Sequence, residues 1–355
     1  MNEMNRTPLG KAPVARKPEH LLLILTVLNV AFLCTLWLLE TFVAERHWLT
    51  TALTYMPQHG FGIPTLLLTF WTAFRRDWRA GASNAIALVF FVSYFLGLNV
   101  PLTTTSVRTG TSLRVMTYNI LHGAKGAEHV IEVVNREQPD VLCLQEANAA
   151  GQWHDPVPEI QRLLPGWQMA RYGELVTFSR HPIASWRIHR LPTRAGCGIL
   201  EATILVKGQR LTVLNTHFIH FIVGTSMTTR LLSQMSDIPD TTDVRAAQME
   251  LFSRVSNTIK RPFIAVGDFN TPPRGQFYGQ LTHHCRDSFA EAGWGLGYTY
   301  HADLPLMRID YIFTSPTVQA RQCFVPKVRA SDHRPVVADL VLNGLSEDNE
   351  LPVRH

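Results

Sequence analysis

The chain contains no G-x-x-x-x-G-K-[ST], no G-x-S-x-G and no H-E-x-x-H, so phosphate-loop NTPase, serine hydrolase and zincin chemistries lack their defining groups. Cysteine is sparse: five residues in 355, with no C-x-x-C. Cys34 and Cys143 lie in apolar runs, the common setting of an unpaired thiol, while Cys197, Cys285 and Cys323 leave a disulfide and the compartment open. Internal repeats and low-complexity tracts are missing. So is a strong charge of one sign. The 33 Lys and Arg nearly balance the 28 Asp and Glu, and the part after residue 107 is close to neutral, unlike the basic footprint of a dedicated nucleic-acid binder.

Charge is also absent from long stretches near the N-terminus. LLLILTVLNVAFLCTLWLL fills the space between His20 and Glu40, close to the ~20 residues a helix needs to cross hydrocarbon. Residues 49–74 are uncharged apart from His59 and become strongly apolar in FGIPTLLLTFWTAF; residues 80–107 carry no charge and centre on AIALVFFVSYFLGL. Three spans over residues 21–107 are expected, the middle one interrupted by Pro57, Gly60 and Pro64. A cleaved signal peptide competes for the first, but the run exceeds the usual ~7–15-residue apolar core and no small-x-small site follows. Arg6, Lys11, Arg16 and Lys17 precede the first run, and Arg75, Arg76 and Arg79 separate the second from the third; the loop between the first two has only Arg46 against Glu40 and Glu45. The positive-inside rule then leaves residues 1–20 in the cytoplasm and everything after about residue 107 outside it, as in an integral protein of the plasma (inner) membrane.

Residues 108–345 have a different texture. LRVMTYN ends on Asn119, VLCLQE on Glu146, LTVLNTH on His217, and FIAVGDFN on Asp268 and Asn270; RIDYIFTS carries Asp310, and SDHRPVVADLVL puts Asp332 and His333 just ahead of a strand. Each is a short strand-like run that delivers a polar side chain at its end. Strands of one sheet collect such groups along one edge, where α/β folds keep their sites. Helix-like segments intervene, such as AEHVIEVVNREQ before Pro139 and VRAAQMELFSRVSNTI, in which Val244, Ala247, Leu251, Val255 and Thr258 keep near-helical spacing. Many short strands flanked by helices suit a two-sheet α/β sandwich better than one doubly wound sheet. Residues 346–355 read as a flexible tail.

A glutamate, three aspartates, two asparagines and two histidines together suit a divalent cation, Mg²⁺ or Mn²⁺, that keeps open positions for water and a phosphate oxygen. Histidine and asparagine donors can neutralise charge on a pentacoordinate phosphorus while a carboxylate activates water. A phosphoester fits. In order and spacing, TYNILHG, VLCLQE, NTHF, GDFNTPP, RIDYIF and SDHRPVV resemble the successive motifs of the endonuclease/exonuclease/phosphatase superfamily, which includes deoxyribonucleases, abasic-site endonucleases, inositol polyphosphate phosphatases and neutral sphingomyelinases. The resemblance covers about residues 112–343.

It implies Glu146 as principal metal ligand with Asn119 beside it and Asp332 contributing directly or through water. Asp268 would orient the attacking water, and Asn270 would hold a phosphate oxygen. His333, polarised by Asp310, would stabilise the transition state or act as acid/base, with His217 a second phosphate-facing histidine. His122 and the pair His283 and His284 read as structural or surface residues. The expected protein is a membrane-anchored metal-dependent phosphoesterase acting on a lipid-linked or small phosphorylated molecule, its oligomeric state open. A membrane-tethered nuclease, with Arg171, Arg180, Arg194 and Arg274 lining a basic groove, is the alternative, and an inactive binding module on the same fold is another. The stretch after NTHF, IHFIVGTSMTTRLLSQMSDIPDTTDV, is longer than the family's usual connection. It is either a surface insertion or, from Phe218 to Val223, a contact with the bilayer or substrate.

Overall fold

The computed structural model describes residues 18–101, 110–190, 198–220, 238–260 and 262–343. α1 (Pro18–Leu38) takes up the first apolar run, and the helical stretch Leu21–Arg46, of mean hydropathy 2.5, is long and apolar enough to cross a membrane. The other two expected spans do not form as such. α2 (Trp48–Tyr55) stops ahead of Pro57, α3 (Ile63–Arg75) begins over Pro64 with 13 residues, and α4 (Trp78–Phe90), capped by Asp77, also has 13. Helices of ~20 Å fall short of a ~30 Å hydrocarbon core. α4 runs on into a π turn over Phe91–Phe95, but Arg79 and Asn84 dilute its start. Among the described residues one helix therefore meets the requirement for a span, where the sequence suggests three.

The chain divides into two compact units, Met1–Leu36 with Gly60–Phe91, and Trp37–His59 with Val92–His355. In the first, helices meet through polar groups: Thr65 donates to Asn29 at 3.1 Å and Asn84 to Thr26 at 2.9 Å, all four buried. Leu23, Ile24, Val27, Leu66, Leu67 and Phe70 are exposed. Leu22, Leu68 and Ala80 are buried beside these polar pairs, and buried polar pairs under a largely apolar outer surface are the inverse of a water-soluble bundle.

In the second unit, β1 (Gly110–Asn119) projects Leu113 and Val115 into a core shared between two sheets, and Met116 and Tyr118 into a core closed by helices, as the two-residue period of a strand dictates. It is followed by β2 (Val141–Gln145), β3 (Gln168–Tyr172), β4 (Leu175–Ser179), β5 (Ile183–Arg190), β6 (Gly198–Val206), β7 (Gln209–His217) and β8 (Phe263–Asp268). Then come β9 (Arg286–Asp287), β10 (Asp310–Thr314), β11 (Val318–Phe324) and β12 (Val336–Asn343). The sheets run β11-β12-β1-β2-β4-β3 and β5-β6-β7-β8-β10-β9, parallel at β1–β2 and β7–β8 and antiparallel at the other pairings. Val213, Ile264, Val266 and Ile312 of the second sheet meet Leu113, Val115 and Val141 of the first. α5 (Ala127–Glu137) and α6 (Val157–Leu163) cover the outer face of the first sheet through Val130, Val134 and Ile160. α7 (Ile238–Thr258) and α8 (Gly275–His284) cover the second through Met249, Phe252, Phe277 and Leu281. The two-sheet α/β sandwich expected from the strand count is the fold.

Two local expectations change. The inward face of α7 is Arg245, Gln248, Met249, Phe252 and Val255, with Val244, Ala247 and Leu251 only flanking it, because two polar residues there are spent on the neighbouring loop. Phe218, expected at the start of a bilayer or substrate contact, is 1% exposed and packs against Phe252 and Phe269; residues 221–237 lie outside the described ones.

Candidate active site

Register lines up the candidate side chains. His217 on β7 is the parallel partner of Asp268 on β8, which is the antiparallel partner of Asp310 on β10. In the other sheet, Asn119 pairs with Gln145, and Glu146 follows at once. Neighbouring ends of both sheets thus meet. Glu146 (φ 50°) and Asn270 (φ 47°) hold left-handed backbone; asparagine adopts it readily, whereas at a glutamate it is strain of the kind that gathers at functional positions.

Hydrogen bonds and close ion pairs link the group. Asn119 Nδ2 donates to Glu146 Oε1 at 2.9 Å and to Asp268 Oδ2 at 3.2 Å. Asp268 Oδ2 lies 3.7 Å from Nε2 of both His217 and His333, and its Oδ1 accepts from the Asn270 backbone at 2.9 Å. Asp310 Oδ2 bonds His333 Nδ1 at 2.9 Å, and both residues are buried. Arg308, two residues ahead, leaves Asp310 free for that role by pairing with Asp287 at 2.6 Å. Asn270 spends its side-chain amide on the Phe218 carbonyl at 2.9 Å. Half-buried Asp332 accepts from Ser331 at 3.1 Å and acts by charge on His333.

Burial and charge set the protonation. Burial alone would lower His333, but Asp310 and Asp268 hold it up at about 10. His217 is likewise held at about 9, with Glu174 outweighing burial through a 3.0 Å hydrogen bond. Glu174 is kept below the usual carboxylate range: burial raises it, but the bond and charge of His217 more than compensate. Asp268 is pushed up to about 6 by burial and by Asp310, against the pull of the two histidines. Both rings flanking Asp268 are thus held towards their protonated form.

Sequence reasoning missed three neighbours. His122, expected to be structural, places Nε2 3.3 Å from Glu146 Oε2 and stacks on Trp153; its place in TYNILHG was the signal. Tyr300 packs 4.8 Å from the His333 ring, and burial together with Asp332, Asp268 and Glu146 raises its hydroxyl. Glu174 sits in the short turn between β3 and β4, where nothing local marks it. Three of the four arginines of the alternative groove are engaged elsewhere among the described residues: Arg171 pairs with Asp155 at 2.7 Å, Arg180 stacks on Trp167, and Arg274 is buried; Arg194 lies outside the described residues. His283 and His284 end α8, away from the strand ends.

The sequence profile of the endonuclease/exonuclease/phosphatase family matches residues 116–333, well over half of the chain. The chain belongs to the endonuclease/exonuclease/phosphatase family. Solved structures share the fold: an endonuclease/exonuclease/phosphatase from Beutenbergia cavernae DSM 12333 (TM-score 0.52, 21% identity, covering 66% of this chain and 72% of that one), and another from Bacteroides vulgatus (TM-score 0.52, 22% identity, 65% and 99%). A mannosyl-6-phosphatase from Bacteroides thetaiotaomicron VPI-5482 is similar (TM-score 0.50, 19% identity, 64% and 99%). No curated protein matches.

This family member carries a donor set that fits a divalent cation. Carboxylate oxygens of Asp268 and Asp310 and a His333 nitrogen lie within 4.8 Å of one another, the carboxylates being the ligands on offer while the ring is protonated, and among the described residues Asp310 Oδ1 is buried without a hydrogen-bond partner. Glu146 and Asp332 add carboxylates, so hard oxygen donors outnumber the imidazoles that could balance them.

Proposed function

We propose that this family member is a membrane-anchored, divalent-metal-dependent phosphoesterase, and the observation that carries the reading is the buried Asp310–His333–Asp268 line beside Asn119 and Glu146. Glu146, with Asn119 and Asp332, would hold Mg²⁺ or Mn²⁺. That ion, when bound, supplies positive charge to a phosphoryl oxygen and makes bound water more acidic. Ionised Asp268 orients the attacking water and takes its proton. His333, kept cationic and oriented by Asp310, stabilises charge on the phosphoryl oxygens and delivers the Nε2 proton to the leaving oxygen. His217, fixed by Glu174, faces the phosphate from the other side, and Asn270 helps position it.

The substrate class favoured is a lipid-linked or small phosphoester. The near-neutral domain offers little of the electrostatic affinity by which nucleases hold a polyanion, and an anchored enzyme sees lipid phosphate at raised effective concentration. Inverted packing of α1, α3 and α4 supports immersion in lipid. With one crossing and basic residues before it on the cytoplasmic side, residues 108–345 face outside the cytoplasm; a cysteine placed after Leu345 should then react with an impermeant thiol reagent in intact cells, and labelling only after lysis would place it inside. The test of substrate is turnover of lipid phosphoesters against plasmid nicking at equal Mg²⁺ and near-physiological salt. Lipid turnover supports this reading. Efficient nicking with a steep salt dependence and no lipid turnover makes the protein a tethered nuclease.

A further inference from the structure

The loop that carries Asn270 is gripped from a part of the chain outside the family-matched region. Arg274, 7% exposed, donates to the Thr54 carbonyl at 2.9 Å, the Met56 carbonyl at 3.2 Å and the Phe95 carbonyl at 3.3 Å, with Glu40 3.7 Å away. Two residues on, the Gln276 backbone donates to Glu45 at 2.9 Å and its side chain to the Phe42 carbonyl at 2.9 Å. Between them Gly275 sits at φ +81°, and an added Cβ would lie 2.7 Å from Glu45 Oε1.

A second chain of contacts reaches the same loop from α7. Arg245, 1% exposed, donates to Thr271 Oγ1 at 2.6 Å, to the Tyr55 hydroxyl at 3.0 Å and to the Ile219 carbonyl. Tyr55 in turn donates to Glu45 at 3.2 Å. Two buried arginines therefore bracket Thr271–Arg274, and each is completed by residues between Glu40 and Met56. Without those partners Arg274 would keep only the Phe95 carbonyl, and Arg245 would lose its Tyr55 bond, leaving buried guanidiniums incompletely paired, which is unfavourable.

We propose that the segment Glu40–Met56, which follows the apolar helix in the chain, is a positioning element of the active site: through Arg245 and Arg274 it fixes the loop from Asp268 to Gln276. Arg245 and Arg274 touch no reacting atoms. Their effect passes through Thr271 to Asn270 and from there to Asp268, whose Oδ1 receives the Asn270 backbone hydrogen bond.

The inference rests on the phosphoesterase reading for its kinetic half only. The test uses the full chain in detergent with Mg²⁺ and bis(p-nitrophenyl) phosphate, alongside hydrogen exchange of the peptide spanning residues 264–277. Tyr55→Phe removes one hydroxyl, and Arg274→Lys keeps the charge but cannot serve three carbonyls at once. Both variants should lower kcat about tenfold with KM changed less than about twofold, as expected for misplaced groups, and both should speed exchange in that peptide while β12 exchanges as before. Arg274→Ala should lose more, with Arg274→Lys intermediate. Unchanged loop exchange in Tyr55→Phe and Arg274→Lys would overturn the proposal whatever the activity. A wild-type protein that hydrolyses no phosphoester, with loop exchange nonetheless faster in the variants, would uphold the clamp and sink the phosphoesterase reading.

Discussion

Replacing Asp310 with asparagine isolates the charge on His333. The two side chains are 6% and 1% exposed and 2.9 Å apart, so the carboxylate acts on the imidazole with little solvent screening. Its charge is the largest influence that raises His333, from an ordinary 6.5 to about 10, against burial. With the carboxylate gone, burial meets only Asp268 at 3.7 Å and the more distant Asp332. His333 should then fall by ~2 units or more, into or below the neutral range. If the cation is what supports turnover, the alkaline limb of kcat/KM moves down from about 10 by the same amount, and the plateau drops by ~10²–10⁴ because the ring also loses its orienting partner. Stability should follow with a definite sign. A group whose folded value is raised stabilises the fold below 6.5 and loses that contribution as pH climbs towards about 10, so wild-type Tm should decline across that window and the variant's should not. The assay is a pH–rate profile from about pH 5 to 10.5, with thermal unfolding over the same range. An Asp310→Asn enzyme whose alkaline limb stays in place would refute the reasoning, since neither geometry nor charge at His333 would then govern the rate.

The remaining predictions concern stability. Arg308→Met should destabilise by ~3 kcal/mol, because it removes the ion-pair partner, at 2.6 Å, of Asp287, which is 2% exposed at its side chain and keeps the Tyr278 hydroxyl and two backbone donors; thermal unfolding in detergent checks this, and a change under ~1 kcal/mol would mean the pair is not buried in solution. Phe218→Ala should cost ~3–5 kcal/mol by opening a cavity among Phe252 and Phe269, whereas a bilayer-facing Phe218 would leave Tm unchanged and alter vesicle binding instead.

The sandwich was legible because short apolar runs ending in polar residues describe β1, β2, β7 and β8 almost residue for residue, and the same strand ends gave Asn119, Glu146, His217 and Asp268. Glu174 was not legible: it reaches His217 only because the β3–β4 hairpin folds beside β7, a tertiary fact with no local mark. The apolar spacing marked Val244, Ala247 and Leu251 on α7, but the buried face includes Arg245, which bonds Thr271 after Asp268, and Gln248, which accepts from Ile219 after β7, a polar burial that apolar spacing cannot show. Membrane spans were over-read: the interruptions at Pro57, Gly60 and Pro64 were visible, but they and the Arg75–Asp77 turn leave α3 and α4 at 13 residues each, too short for spans. Phe218 misled in the opposite direction: an aromatic at the head of an insertion looks like a surface contact until Phe252 and Phe269 are seen around it.

Hydrolysis of bis(p-nitrophenyl) phosphate by the detergent-purified full chain, followed with Mg²⁺ and then with excess chelator, in wild type and in Glu146→Gln, tests the central claim most directly. The account predicts turnover that disappears on chelation, returns with added Mg²⁺ or Mn²⁺, and is nearly abolished in Glu146→Gln, because that change removes an anionic oxygen ligand while keeping the shape of the side chain. Turnover that persists undiminished in chelator, or that survives intact in Glu146→Gln, would contradict it.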